Sequence, residues 1–84
     1  MKPTFHQKVL RIVARIPKGE TRTYQEIARR AGSSLACRAV GNILHKNMDR
    51  EIPCHRVIRS DGKIGGYNRG PKKKEGLLKR EGAI

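Results

Sequence analysis

The sequence predicts a small, mainly α-helical domain with a short β-hairpin: a winged helix-turn-helix. Three observations carry that prediction. Apolar residues recur at three- and four-residue steps in separate stretches before residue 46, each bounded by capping or stop signals. Two of these helical segments are joined by a glycine-containing turn, and the second carries Arg38 and Asn42 off its apolar stripe. Beyond Asn47 the pattern changes to a β-prone run, Ile52 to Ile58, then a Ser60-Asp61-Gly62 turn and a second short β-prone pair, Lys63-Ile64.

The elements follow in order. Thr4 caps a first helix that runs to about Arg15 and turns Phe5, Val9, Ile12, Val13 and Ile16 to one face. Pro17 and Gly19 stop it. Thr23 and Glu26 have capping-box spacing, so a second helix is expected from Tyr24 to Ala31, closed by Gly32. Ser33 and Ser34 can cap a third helix from about Leu35 to His45, with Leu35, Ala36, Ala39, Val40, Ile43 and Leu44 as its stripe. The stretch from Gly65 to Gly70 is too glycine-rich for regular structure. Pro71 at the first helical position opens a last helix, with Leu77 and Leu78 inward and Lys72, Lys73, Lys74 and Lys79 outward.

Eighty-four residues form one domain, 1–84, that buries roughly 60–65% of its unfolded surface. A formal charge of +13 favours a polyanionic partner, with nucleic acid first among them. Phe5, Tyr24 and Tyr67 are the only aromatic residues, which argues against a membrane-surface helix. No apolar run approaches the ~20 residues of a spanning helix, and the N-terminus lacks a signal-peptide pattern. Two cysteines in an unstapled chain suit a reducing compartment, so the cytoplasm is expected. Cys37, His45, Cys54 and His55 lack the close paired spacing of zinc ligands, and no metal is expected.

The chemistry concentrates at Pro53-Cys54-His55-Arg56-Val57. A thiol reacts as its thiolate, which cations and imidazole favour. Pro53 constrains the backbone that carries Cys54, on a turn or strand edge, and orientation is a large part of a reaction barrier. The plainer reading is a small buried hydrophobe beside an unrelated histidine.

The whole pentapeptide resembles the active-site motif of the O6-alkylguanine-DNA alkyltransferases. So do Gly19-Glu20 followed by Tyr24, Arg38-Ala39-Val40-Gly41, Asn47, the glycine loop around Tyr67, and the terminal Leu77-Leu78-Lys79-Arg80-Glu81-Gly82. The resemblance spans residues 5 to 82. It implies a protein that binds duplex DNA through the minor groove and rotates O6-alkylguanine out of the stack. The alkyl group then passes irreversibly to Cys54, once per molecule, with no cofactor. A monomer is implied.

The family pattern assigns the roles. Arg38 would be the finger that fills the vacated space, with small Ala39 and Gly41 letting the helix approach the groove. His55 would take the thiol proton through a water, with Asn47 and Glu81 completing the network and Glu81 fixing the imidazole tautomer, a nucleophile–base–orienter chain. Tyr24 would touch the flipped base and protonate the departing guanine. Cys54 and Val57 would offer carbonyls to the base, and Tyr67 and Asn68 a wall and backbone donors. Arg56 would be structural, and Lys72 to Lys74 a solvated basic face.

The sequence departs from the pattern in places. Met48 follows Asn47 where proline is usual, Arg69 follows Tyr67-Asn68 where smaller residues are usual, and Cys37 has no family role. Members usually carry an N-terminal domain, and here the first helix begins almost at once. Compact, non-catalytic alkyltransferase-like lesion binders that recruit other repair factors share that feature but usually lack the cysteine. A generic helix-turn-helix regulator explains the charge and leaves Pro53 to Val57 without a purpose.

Overall fold

A computed structural model describes residues 2–49, 51–65, 67 and 70–84, and its first helix starts at the expected threonine. Thr4 Oγ1 accepts from the Gln7 amide at 3.1 Å while Gln7 Oε1 accepts from the Thr4 amide at 3.0 Å, so two otherwise orphaned donors are satisfied reciprocally. Helix α1 spans Phe5–Ala14 and buries Val9 and Val13. A two-residue strand, β1 (Arg22–Thr23), leads into α2 (Tyr24–Arg30), where Thr23 and Glu26 form the predicted capping box. Helix α3 covers Cys37–Lys46. A 3₁₀ turn at Cys54–Arg56 runs into β2 (Val57–Ile58), and α4 spans Pro71–Arg80. The domain is thus mostly helical with a small two-stranded sheet.

Helix α3 starts two residues later than the sequence implies. Gly32, at φ +99°, and Ser33 are used to close α2, through Gly32 N–H to Arg29 O and Ser33 N–H to Ala28 O. The Ala36 amide then bonds back to Ser33 O, so residues 33–36 form a turn and neither serine caps α3. Leu35 is consequently 97% exposed at the tip of that turn. Ala39 is also exposed, and the buried stripe of α3 reduces to Val40 and Leu44.

The expected hairpin is replaced by a different pairing. Strand β2 lies parallel to β1, with Arg22 opposite Val57 and Thr23 opposite Ile58. Residues 59–63 do form a tight turn, with Arg59 N–H to Lys63 O at 3.0 Å and Gly62 at φ +86°, but Lys63-Ile64 is not a strand. The 3₁₀ turn after Pro53 consumes Cys54 to Arg56, leaving only Val57 and Ile58 extended. Helices α2 and α3 provide the long crossover that parallel pairing requires.

One core joins these elements: Val9, Val13 and Ile16 from the first helical segment, Ile27, Ala28 and Ala31, Val40 and Leu44, and Cys54 with Val57. Leu78 anchors α4 inward with no exposure. Lys74, expected outward, is fully buried one turn before it.

Candidate active site

Cys54 opens the 3₁₀ turn with 8% of its surface exposed. Pro53 directs the chain into that turn, and the Val57 amide closes it on the Cys54 carbonyl. Asn47, the residue that ends α3 in an extended conformation, donates from Nδ2 to Cys54 Sγ at 3.1 Å. Its side-chain oxygen accepts from the Asp49 amide, which fixes the amide plane. An N–H aimed at sulfur favours the anionic form of that sulfur.

Behind the thiol runs a second chain of contacts. His55 Nε2 lies 3.0 Å from Glu81 Oε2. Arg56 grips the same carboxylate with two nitrogens, at 2.9 and 2.7 Å, and gives a third donor to the Ile16 carbonyl at 2.7 Å. The three side chains are between 11% and 16% exposed. The Arg56 bonds come first among the causes that hold the Glu81 carboxyl down at about 2, against the opposing push of burial, with the His55 bond next. The same bonds push the Arg56 guanidinium up.

The local sequence explains why Glu81 arrives there. It caps α4 three residues after buried Leu78, and Gly82, at φ +77°, ends the helix with its amide on Lys79 O. Gly19, at φ +90°, makes room: a Cβ there would meet the Glu81 carbonyl at 3.3 Å.

A third cluster lies near enough to Cys54 to feel its charge. Lys74 Nζ donates to the Val57 carbonyl at 2.5 Å and to Tyr24 Oη at 3.4 Å, lying 5.6 Å from the Tyr24 ring centre. Burial lowers the ammonium to about 8, against a smaller opposite push from the Cys54 charge. Burial likewise raises the Tyr24 hydroxyl, and the Cys54 charge adds to it. An ammonium only donates, so the Tyr24 oxygen is the acceptor and its own hydrogen is directed elsewhere.

A cavity of about 350 Å³ lies against these groups, lined by Tyr24, Gly41, Cys54, Gly65 and Tyr67, and also by His45 and Arg59, which no sequence argument placed there. It is at the small end of ligand-site volumes. Gly41 also lines a neighbouring open groove with Tyr24, Cys37 and Arg38. Arg38 and Ala39 are exposed on the outer side of α3. A Cβ at Gly41 would meet nothing within 4 Å, so no protein neighbour requires the glycine.

The family of the 6-O-methylguanine DNA methyltransferase DNA-binding domain matches residues 4–83. The chain belongs to that family. It is 49% identical over 78 residues to a methylated-DNA–protein-cysteine methyltransferase of Methanothermobacter thermautotrophicus, covering 93% of this chain and 44% of the relative. Among solved structures it is similar to the Mycobacterium tuberculosis OGT in complex with DNA, at TM-score 0.88 and 43% identity, covering 96% of this chain and 50% of that one. It is also similar to Schizosaccharomyces pombe Atl1 in complex with damaged DNA containing O6-carboxymethylguanine, at TM-score 0.83 and 35% identity, covering 98% and 80%. The chain therefore spans about half the length of the methyltransferase relatives.

Most residues singled out by the methyltransferase-family pattern converge. Cys54 and Asn47 touch, His55 and Glu81 touch, and Tyr24 and Tyr67 share the cavity wall with Cys54. Val57 is buried in the core, and it is its carbonyl that faces Lys74. Asn68 lies outside the described residues. Lys74 is another residue the sequence places wrongly: a side chain read as part of a solvated face is buried beside Tyr24 and the Val57 carbonyl. Its signal was its position four residues before Leu78, on the same helical face. Among the described residues no cluster of three or more His, Cys, Asp or Glu side chains could hold a metal ion, and no helix is long and apolar enough to cross a membrane.

Proposed function

We propose that this chain repairs DNA by direct reversal, taking O6-methylguanine from the duplex into the Cys54 cavity and moving the methyl group to its sulfur. The observation that carries this reading is Cys54 on the cavity wall, with Asn47 on its sulfur and the His55–Glu81–Arg56 chain behind it.

In this mechanism the sulfur attacks the alkyl carbon in line with the bond to guanine O6. A carbon–sulfur bond forms as the carbon–oxygen bond breaks, and the electron pair leaves with the base. The thiol proton passes to His55 through a water, and the Glu81 carboxylate stabilises the imidazolium. The departing guanine receives a proton from Tyr24, whose oxygen is held by Lys74, and the proton taken by His55 returns through water to the tyrosinate, so that the thiol proton is the one the guanine finally carries. Arg38 stacks into the vacated position, for which a planar, fixed-fork cation is suited. The flipped base costs a few kcal/mol to extrude, and least when its pairing is already damaged. A thioether is a poor leaving group, so each molecule acts once, as a monomer and without a cofactor.

The test is the intact mass of reduced protein after incubation with a duplex carrying O6-methylguanine. A gain of one methylene, mapped to Cys54 and absent in Cys54→Ala, is expected. Unchanged mass with excess lesion would overturn the reading.

The second reading is a lesion binder that recruits other factors. It is favoured by the structural likeness to Atl1 in complex with damaged DNA, at TM-score 0.83 and 35% identity. Tight, lesion-selective binding by both wild type and Cys54→Ala, without product, is its signature.

A further inference from the structure

A separate basic depression lies between the outer face of α1 and the last turn of α2. Lys8, Arg11, Arg15 and Arg30 wall it, Ile12 contributes apolar surface, and it holds about 270 Å³. It shares no lining residue with the Cys54 cavity or the Arg38 groove.

The fold does not demand this arrangement. Val9 and Val13 fix which side of α1 faces the core, and any polar residues would serve on the other side. Instead Lys8, Arg11 and Arg15 follow one another at three- and four-residue spacing, where like charges repel along a helix. No acidic residue occurs before Glu20, so nothing on α1 offsets them. Among the described residues no ion pair engages any of the four cations, and all four are exposed. Three arginines and a lysine drawn from two helices around one concavity match the oxygens of a phosphodiester, to which arginine bonds in a bidentate manner. Half-buried Ile12 offers the apolar surface on which a sugar can rest.

We propose that this depression is a second DNA-docking surface. It takes the phosphate backbone of a duplex other than the one held at Cys54, so that one molecule bridges two DNA segments. A continuous polyanion is favoured over an acidic protein because the depression presents four cationic donors and a single apolar side chain, with no acceptor lining it to read a peptide backbone. The proposal stands whether or not Cys54 transfers an alkyl group.

Two short duplexes, one bearing a donor dye and one an acceptor, test it by energy transfer, with sedimentation reporting how many proteins each complex holds. Wild type is expected to join two duplexes with one protein. Replacing Lys8, Arg11, Arg15 and Arg30 by glutamine should weaken the bridging step about tenfold or more and flatten its salt dependence by close to 0.9 per lost phosphate contact. Lesion binding on a single duplex should change much less, and circular dichroism should match wild type. Should the fourfold variant not fold, Lys8→Gln/Arg11→Gln alone should lose part of the bridging and of its salt slope. The idea is overturned if wild type never joins two duplexes, if joining needs two proteins, or if the folded variant bridges as well. Displacement of the second duplex by poly-glutamate as readily as by DNA of equal charge would equally overturn the assignment to DNA.

Discussion

Asn47 Nδ2 donates to Cys54 Sγ at 3.1 Å, joining the end of α3 to the start of the 3₁₀ turn. The contact sets the sulfur in place and offers a partial positive charge to an anion forming on it. Asn47→Ala should therefore slow methyl transfer by about tenfold, the equivalent of one hydrogen bond to a charged group. Single-turnover rates at saturating DNA measure this, and lesion affinity should change little. An unchanged rate would remove Asn47 from the chemistry.

The carboxylate of Glu81 is the hinge between Arg56 and His55. Its folded value, about 2, lies below the ordinary 4.5. Its stabilising effect is thus complete above pH 4.5 and fades as pH falls towards 2. Urea unfolding at pH 7 and at pH 3 should show the difference, and Glu81→Gln should flatten it. At pH 7, Glu81→Ala should destabilise the fold, because it removes the carboxylate held by two Arg56 nitrogens and leaves that guanidinium on the Ile16 carbonyl.

Lys74 has linkage of the same sign, in an alkaline window. Its folded value of about 8 lies below the ordinary 10.5, so the unfolded chain holds the extra proton between those limits. Stability from this group should rise as pH climbs from 8 towards 10. Thermal unfolding of wild type against Lys74→Met across that window isolates the effect. The variant should also slow transfer, having released both the Tyr24 hydroxyl and the Val57 carbonyl.

Gly41 separates folding from recognition. Since a Cβ there meets no protein atom, Gly41→Ala should stabilise α3 by up to about 1 kcal/mol. The same methyl group projects into the cavity and groove proposed for DNA, so affinity for a lesion duplex should fall. Chemical denaturation and a binding titration on one sample decide it. Parallel gains in both would show that the glycine has no contact with DNA.

Local signals were the ones best read from sequence. Both threonine caps, the helix starts at Phe5 and Tyr24, and the proline opening of α4 are all fixed by residues within a few positions. The meeting of His55 and Glu81 was legible because their order matches a family pattern. What escaped depended on competition or distance. Ser33 and Ser34 had the right chemistry to cap α3, but the closure of α2 used that backbone first. The partner of β2 lay 35 residues earlier in β1 instead of beyond the next turn. Lys74 looked solvated because lysine normally is, and only the fold places the Val57 carbonyl where a buried ammonium can be satisfied.

The contacts that complete the site reach far along the chain. Arg56 bonds to a carbonyl 40 residues before it, and Glu81 returns across 26 residues to His55. A nascent chain paused anywhere before Glu81 can hold the cysteine but not the carboxylate that orients its histidine. During synthesis, then, the thiol emerges well before the carboxylate that His55 and Arg56 share.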